Sequence, residues 1–129
     1  MTERYLYGTA VPVLLDGGRL AGRVALYLYT RHGLHVHWFG RRRHLLTAIY
    51  AQKHMAPPYS EENDRVILRL LKAFARESRH TGGILALIPC SPAACGFLSR
   101  VGSELNEDYT LLKMPDMTSH PLSGLVRNE

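Results

Sequence analysis

The sequence predicts a single α/β domain built on a parallel sheet. Three observations lead there. Two short, continuous apolar runs, Ala10–Leu15 ("AVPVLL") and Ile84–Pro89 ("ILALIP"), stand beside glycine pairs, Gly17-Gly18 after the first and Gly82-Gly83 before the second. Such runs suit strands buried on both faces. Between them, Ser60 to Arg79 carries a full set of helix signals. Strand and helix patterns then alternate along the chain, which is the order of an α/β unit.

Bulk properties agree. A chain of 129 residues is one domain by size, and 46% hydrophobic with 21% charged residues is the balance of a soluble globular protein. That length buries a core without disulfide or metal staples. Two cysteines are too few for a secreted framework and fit reduced thiols in a cytoplasm. No apolar run approaches the roughly 20 residues needed to span a membrane. The N-terminal "MTERYLYGTAVPVLLDGG" lacks a small-residue cleavage site, so a buried strand explains its apolar run better than a leader does. Neither a leader nor a membrane partner is therefore expected. The net charge is +5. Its basic residues are dispersed apart from Arg41-Arg42-Arg43-His44, which argues for a solvated surface and against a nucleic-acid partner.

Taken in order, Ala10–Leu15 is the first strand; Pro12 is a mild objection, because proline cannot donate to a sheet ladder. Arg19 to His32 admits two readings. Leu20, Val24, Tyr27 and Leu28 fall at helical spacing with Gly33 as a stop, whereas "VALYLY" and "LHVHWF" could form a hairpin around "TRHG". Alternation along the whole chain favours the helix. Leu34–Phe39 is the second strand, with Leu34, Val36 and Trp38 on one face and His35, His37 and Phe39 on the other. "LLTAIYAQ" allows a short helical turn, followed by an extended connection through Pro57-Pro58-Tyr59. Ser60 then caps a helix whose first turn holds Glu61, Glu62 and Asp64 and whose stripe is Val66, Ile67, Leu70, Leu71 and Phe74. After the strand Ile84–Pro89, Ser91 at N-cap and Pro92 at N1 open a helix with Phe97, Leu98, Val101 and Leu105 inward. Thr110–Met114 is the last strand. The domain is expected over residues 10–116, with tails at 1–9 and 117–129.

Each chemically suggestive residue has an ordinary reading beside the functional one. Cys90 would stand at a strand end beside a helix N-terminus, which can lower a thiol pKa, or it is a small packed residue. Cys90 and Cys95 lack metal-knuckle spacing and a second pair. His35 and His37 form an i, i+2 pair without a third ligand at suitable spacing. Gly17-Gly18 could admit an anion at a helix N-terminus, although Asp16 opposes one; a tight turn is the simpler reading.

The order of motifs resembles the N-terminal pre-ATP-grasp domain of carboxylate-amine ligases, the D-aspartate ligase group in particular. The carrying residues are "VLLDGG", a strand ending in Phe39-Gly40, "LALIPCS", then "FLSRVGSELNEDY" and "TLLKMPD". The resemblance spans about Ala10 to Asp116. It implies a Rossmann-like, three-layer domain with a four-stranded parallel sheet in the order 2-1-3-4, consistent with right-handed crossovers. It further implies that this domain forms one wall of a ligase site completed by an ATP-grasp domain or subunit, which supplies ATP and Mg²⁺ binding. No cofactor or catalytic residue is then expected in this chain, and a second copy of it is the other candidate partner. The family commonly places an acidic and an aromatic residue after the position of Cys90; here the stretch is Ser91-Pro92-Ala93-Ala94. Any ligand is expected at the carboxyl ends of the first three strands, against Gly17, Gly18, Gly40, Arg41, Cys90 and Ser91. The alternatives are a module binding an anionic metabolite or nucleic acid through Arg41 to Arg43, and a structural or dimerisation domain.

Overall fold

The computed structural model describes residues 10–41, 45–79 and 83–116; the expected tails, Arg42, Arg43 and His44 lie outside these. In chain order the elements are β1 (Ala10–Leu15), α1 (Arg19–His32), β2 (Val36–Gly40), α2 (Leu45–Tyr50) and β3 (Ala51–Met55). A 3-10 turn, Glu61–Asn63, leads into α3 (Asp64–Glu77), followed by β4 (Ile84–Pro89), α4 (Pro92–Val101), a second 3-10 turn, Gly102–Leu105, and β5 (Thr110–Leu111). The strands form one parallel sheet in the order β3-β2-β1-β4-β5.

The expected four-strand order appears as β2-β1-β4-β5, but the sheet has a fifth strand. Ala51–Met55, read from sequence as the end of a helical turn and a connection, pairs with Val36–Gly40 along its whole length. Its residues, Ala, Gln, Lys, His and Met, include no β-branched residue and no Phe, Tyr or Trp, and three of the five are exposed. An edge strand has little apolar patterning to announce it. The last strand is shorter than expected, ending at Leu111, with one further bond from Leu112 N–H to the Leu87 carbonyl (3.0 Å).

Arg19–His32 is helical, which removes the hairpin alternative. Gly33 ends it in the left-handed region at φ 64°, and its N–H bonds back to Leu28 and Tyr29. Glycine takes that conformation without the Cβ clash. The helix α3 begins at Asp64 rather than Ser60. Ser60 flanks the 3-10 turn instead, its carbonyl accepting from Asn63 N–H (2.9 Å). The buried stripe of α3 is Ile67, Leu68, Leu71, Phe74 and Ala75, with Val66 turned to solvent. Ser91 caps α4 as expected, its Oγ accepting from Ala94 N–H (3.1 Å).

Pro12 is accommodated by strand geometry. The Asp16 N–H points to β2, donating to Phe39, while the Leu15 carbonyl points to β4, accepting from Cys90. Backbone groups alternate sides along a strand, so Pro12 faces the β2 side. There the ladder begins only at Val13. The missing N–H therefore costs no sheet bond.

Alternation in the strands feeds two cores. Val13, Leu15, Phe39 and Leu87 face α3 and α4. Leu14, Trp38, Ala86 and Ile88 face α1 with Val24 and Leu28. Fully burying a Leu, Ile or Phe stabilises by about 1.5–3 kcal/mol. These two layers, one on each sheet face, therefore outweigh any single polar contact in the fold.

Candidate functional site

Parallel strands deliver their carboxyl ends to one side of the sheet. At the end of β1, Asp16 has φ 92°, the one positive value outside glycine among the described residues. Its Oδ1 accepts from Gly17 N–H (2.8 Å), the local bond that makes aspartate tolerable there. At the end of β2, Gly40 packs so closely that an added Cβ would lie 3.1 Å from the Trp38 ring and 3.4 Å from Asp16 Cα. The chain leaving β3 is tied on by Ala56 N–H donating to the Gly40 carbonyl (3.3 Å). It then crosses over the strand ends as Pro57-Pro58-Tyr59. The buried Tyr59 hydroxyl donates to the Phe39 carbonyl at 2.6 Å. These pieces enclose an open cleft of about 520 Å³ lined by Asp16, Gly40, Arg41, Pro57, Pro58, Tyr59 and Ala93.

Two of the six residues expected around a ligand, Gly40 and Arg41, line this cleft. The other four belong to its scaffold. Gly17 is buried, and its carbonyl accepts from the buried Thr47 hydroxyl (3.1 Å). Gly18 begins α1 without a side-chain cap. Ser91 spends its hydroxyl on Ala94. Cys90 is buried, with its N–H on the Leu15 carbonyl. Burial first, then the charges of Asp16 and Cys95, push the Cys90 thiol far above its ordinary range. Of the two readings of Cys90, the burial matches the packed residue, since desolvation opposes any favourable effect of the nearby helix terminus on the thiolate.

The sequence reading missed Pro57, Pro58, Tyr59 and Ala93 as walls. Their position depends on β3. Once Ala51–Met55 is a parallel strand, whatever follows it must emerge at the same sheet end as Asp16 and Arg41. Burial first, then the Asp16 charge, raises the Tyr59 phenol well above 10, against the pull of an Asp16 backbone N–H. Tyr59 is thus a fixed neutral donor at neutral pH. The cleft offers one carboxylate and one exposed guanidinium around it.

A second titratable cluster lies outside the cleft lining. His37 pairs with His54 on the neighbouring strand, Nδ1 to Nε2 at 3.0 Å, and not with His35. Phe39 stacks on the His54 ring at 4.5 Å and Phe74 meets it edge-on. Among the described residues, no group of three or more His, Cys, Asp or Glu is arranged to hold a metal ion. None of the described helices is long and apolar enough to cross a membrane.

Comparison of the chain with protein-family models, with curated proteins and with solved structures finds no match.

Proposed function

We propose that this chain is a Rossmann-like, pre-ATP-grasp domain of the carboxylate-amine ligase type. It forms one wall of an active site and depends on an ATP-grasp domain or subunit for chemistry. The observation that carries the reading is the cleft at the strand carboxyl ends, with Asp16 and Arg41 on its walls. A carboxylate and a guanidinium together suit a small zwitterion, the amino group toward Asp16 and a carboxyl group toward Arg41. The order of segments, from "VLLDGG" to "TLLKMPD", supplies the rest of the support.

The lining residues do not suit Mg²⁺–ATP. Magnesium wants several oxygen ligands, and the cleft has one carboxylate, already accepting from Gly17. Nucleotide and metal therefore belong to the partner, and no step of the ligase reaction is assigned to this chain. Ala93, in the stretch where the family commonly has acidic and aromatic residues, gives the cleft a wall with no polar side chain. Affinity for a free amino acid is accordingly weak.

Amide shifts in the full chain, with D-aspartate, phosphate and ATP–Mg²⁺ added separately, test the site. D-aspartate should move Asp16, Gly40, Arg41 and Tyr59. Shifts gathered instead at Gly83 and Asn106–Thr110, which line a cavity of about 450 Å³ elsewhere, would sink the location. Phosphate alone moving Arg41 would favour the alternative of a module for anionic metabolites. Silence with all three would leave a structural domain. Phosphate release with ATP, Mg²⁺ and amino acids should stay at background.

A further inference from the structure

The sheet has two edges of unequal kind. β5 is only Thr110–Leu111, too short to template another strand. β3 is a full strand, Ala51–Met55, and among the described residues nothing pairs with its outer side. Exposed backbone of this kind recruits a further strand unless something prevents it.

The surroundings of this edge are apolar, and its middle residue is a cation. The preceding helix α2 exposes Leu45 (70%) and Ile49 (59%), one helical turn apart, and Met55 at the end of β3 is 65% exposed. Tyr29, Ile49, Tyr50 and Gln52 border a groove of about 370 Å³ at the start of β3. From Gly17 to Ser60 the sequence contains no Asp or Glu at all. Of the described cations in that stretch, Lys53 alone lies on β3, at its middle, with its Nζ 5.7 Å from the centroid of the Trp38 ring. Glu77, which acts on His54 from α3, belongs to a helix on the opposite sheet face from α1.

Charge and register select the occupant. A second copy pairing antiparallel over the full length of Ala51–Met55, about a two-fold axis beside Lys53, would set Lys53 opposite the partner's own lysine. Like charges directly opposite one another destabilise a strand pair. The same position attracts a carboxylate. The geometry points to β3 as a docking edge for an extended, acidic segment of another protein, added as a sixth strand. In it an acidic residue meets Lys53, and an apolar residue two positions away on the same face reaches toward the groove beside Ile49.

The probe is a synthetic peptide, Thr-Val-Thr-Glu-Thr-Val-Thr-Glu-Thr with blocked ends, titrated into the isotope-labelled full chain. The expected result is movement of the β3 amides and slowed hydrogen exchange at Lys53 and Met55, whose N–H groups alternate away from β2 because Ala56 N–H points to it, with affinity in the high micromolar range. Lys53→Glu should abolish the response and create one to the same peptide carrying lysine for glutamate. Leu45→Ser with Ile49→Ser, both at exposed positions, should weaken binding several-fold while the rest of the spectrum stays in place. No shift up to about 1 mM peptide, a dissociation constant worth no more than about 4 kcal/mol, overturns the proposal. So does an equal response of the unaltered chain to the lysine peptide. It also fails if the outward Lys53 and Met55 amides already exchange slowly in the free chain, meaning that the edge is covered. A self-association that survives Lys53→Glu would assign the edge to a second copy instead. Tighter binding of single-stranded DNA or of phosphatidylglycerol vesicles at the same amides would assign the face to a polyanion or a lipid surface.

Discussion

Asp64, at the start of α3, and Arg100, in the last turn of α4, are joined by two parallel hydrogen bonds, Nε to Oδ2 at 2.7 Å and Nη2 to Oδ1 at 2.9 Å. This fork ties together the two helices on one face of the sheet. The Asp64 side chain is nearly covered while Arg100 keeps a third of its side chain in solvent.

The hydrogen bond from Arg100 holds the Asp64 carboxyl below its ordinary value, against a smaller opposing effect of burial. A depressed carboxylate contributes stability that is present above the unfolded value near 3.9 and is lost as pH falls through the folded one. Asp64→Asn should lower the Tm at pH 7 by a few degrees, and the difference from the unaltered protein should shrink below pH 4. Thermal melts across pH 2–7 check both. A gap that stays constant down to pH 2 would show that the charge contributes nothing.

The two thiols should differ sharply in reactivity. Cys90 is buried and held protonated, whereas Cys95, on α4, is partly exposed. An aromatic disulfide reagent at pH 8 should modify one thiol per chain in the native protein and the second only on denaturation. Cys95→Ser should then leave almost nothing to react under native conditions. Rapid labelling of that variant would contradict the packing of Cys90.

His37 should titrate unusually low. Burial first, then the charges of His54 and His35, lower it to about 4. A histidine kept neutral in the fold supports stability above its unfolded value near 6.5, and that support is lost as pH falls through about 4. Imidazole resonances followed by NMR should place the His37 midpoint near 4, and His54→Ala should move it upward. A midpoint near 6.5 in the unaltered chain would mean that the two rings are solvated and apart.

Tyr59→Phe should cost about 1 kcal/mol, the net worth of a buried hydrogen bond whose carbonyl keeps another donor. The Phe39 carbonyl still accepts from the Asp16 N–H (2.9 Å). Because the folded phenol is raised, its contribution is complete below pH 10 and fades as pH climbs above it. Urea unfolding at pH 7 and at pH 10.5 should therefore show a smaller gap between the two proteins at the higher pH. An unchanged or wider gap would assign Tyr59 a purely packing role.

Much of this was legible in the residues, and the exceptions share a cause. Ala10–Leu15 and Ile84–Pro89 have the bounds that their apolar runs predict, because a strand buried on both faces must be apolar throughout. Gly33 and Ser91 end and begin helices through bonds to neighbours a few residues away, and local chemistry of that kind is written locally. The edge strand β3 is polar and half exposed, so nothing in Ala51–Met55 itself distinguishes it from a loop. Its existence is decided by Val36–Gly40, across the α2 connection. Everything downstream of that decision was hidden with it: the His37–His54 contact, the crossing of Pro57-Pro58-Tyr59 over the strand ends, and hence most of the cleft wall. Asp16 was legible as an obstacle to an anion but not as a lining group, since its direction depends on a backbone conformation that aspartate seldom adopts.

The ladder between β1 and β4 joins Ala10 to Ile84 and Leu15 to Pro89. β1 is also the middle strand, and its side chains enter both cores. During synthesis the first strand must therefore wait, unpaired on one side, until the chain through Pro89 has left the ribosome. Closing so long a loop is entropically slow, and partial structure gains little before it closes. Acquisition of the native state is accordingly a late and concerted event, and a nascent chain stopped short of Pro89 would present strand edge and apolar surface to chaperones rather than a half-built domain.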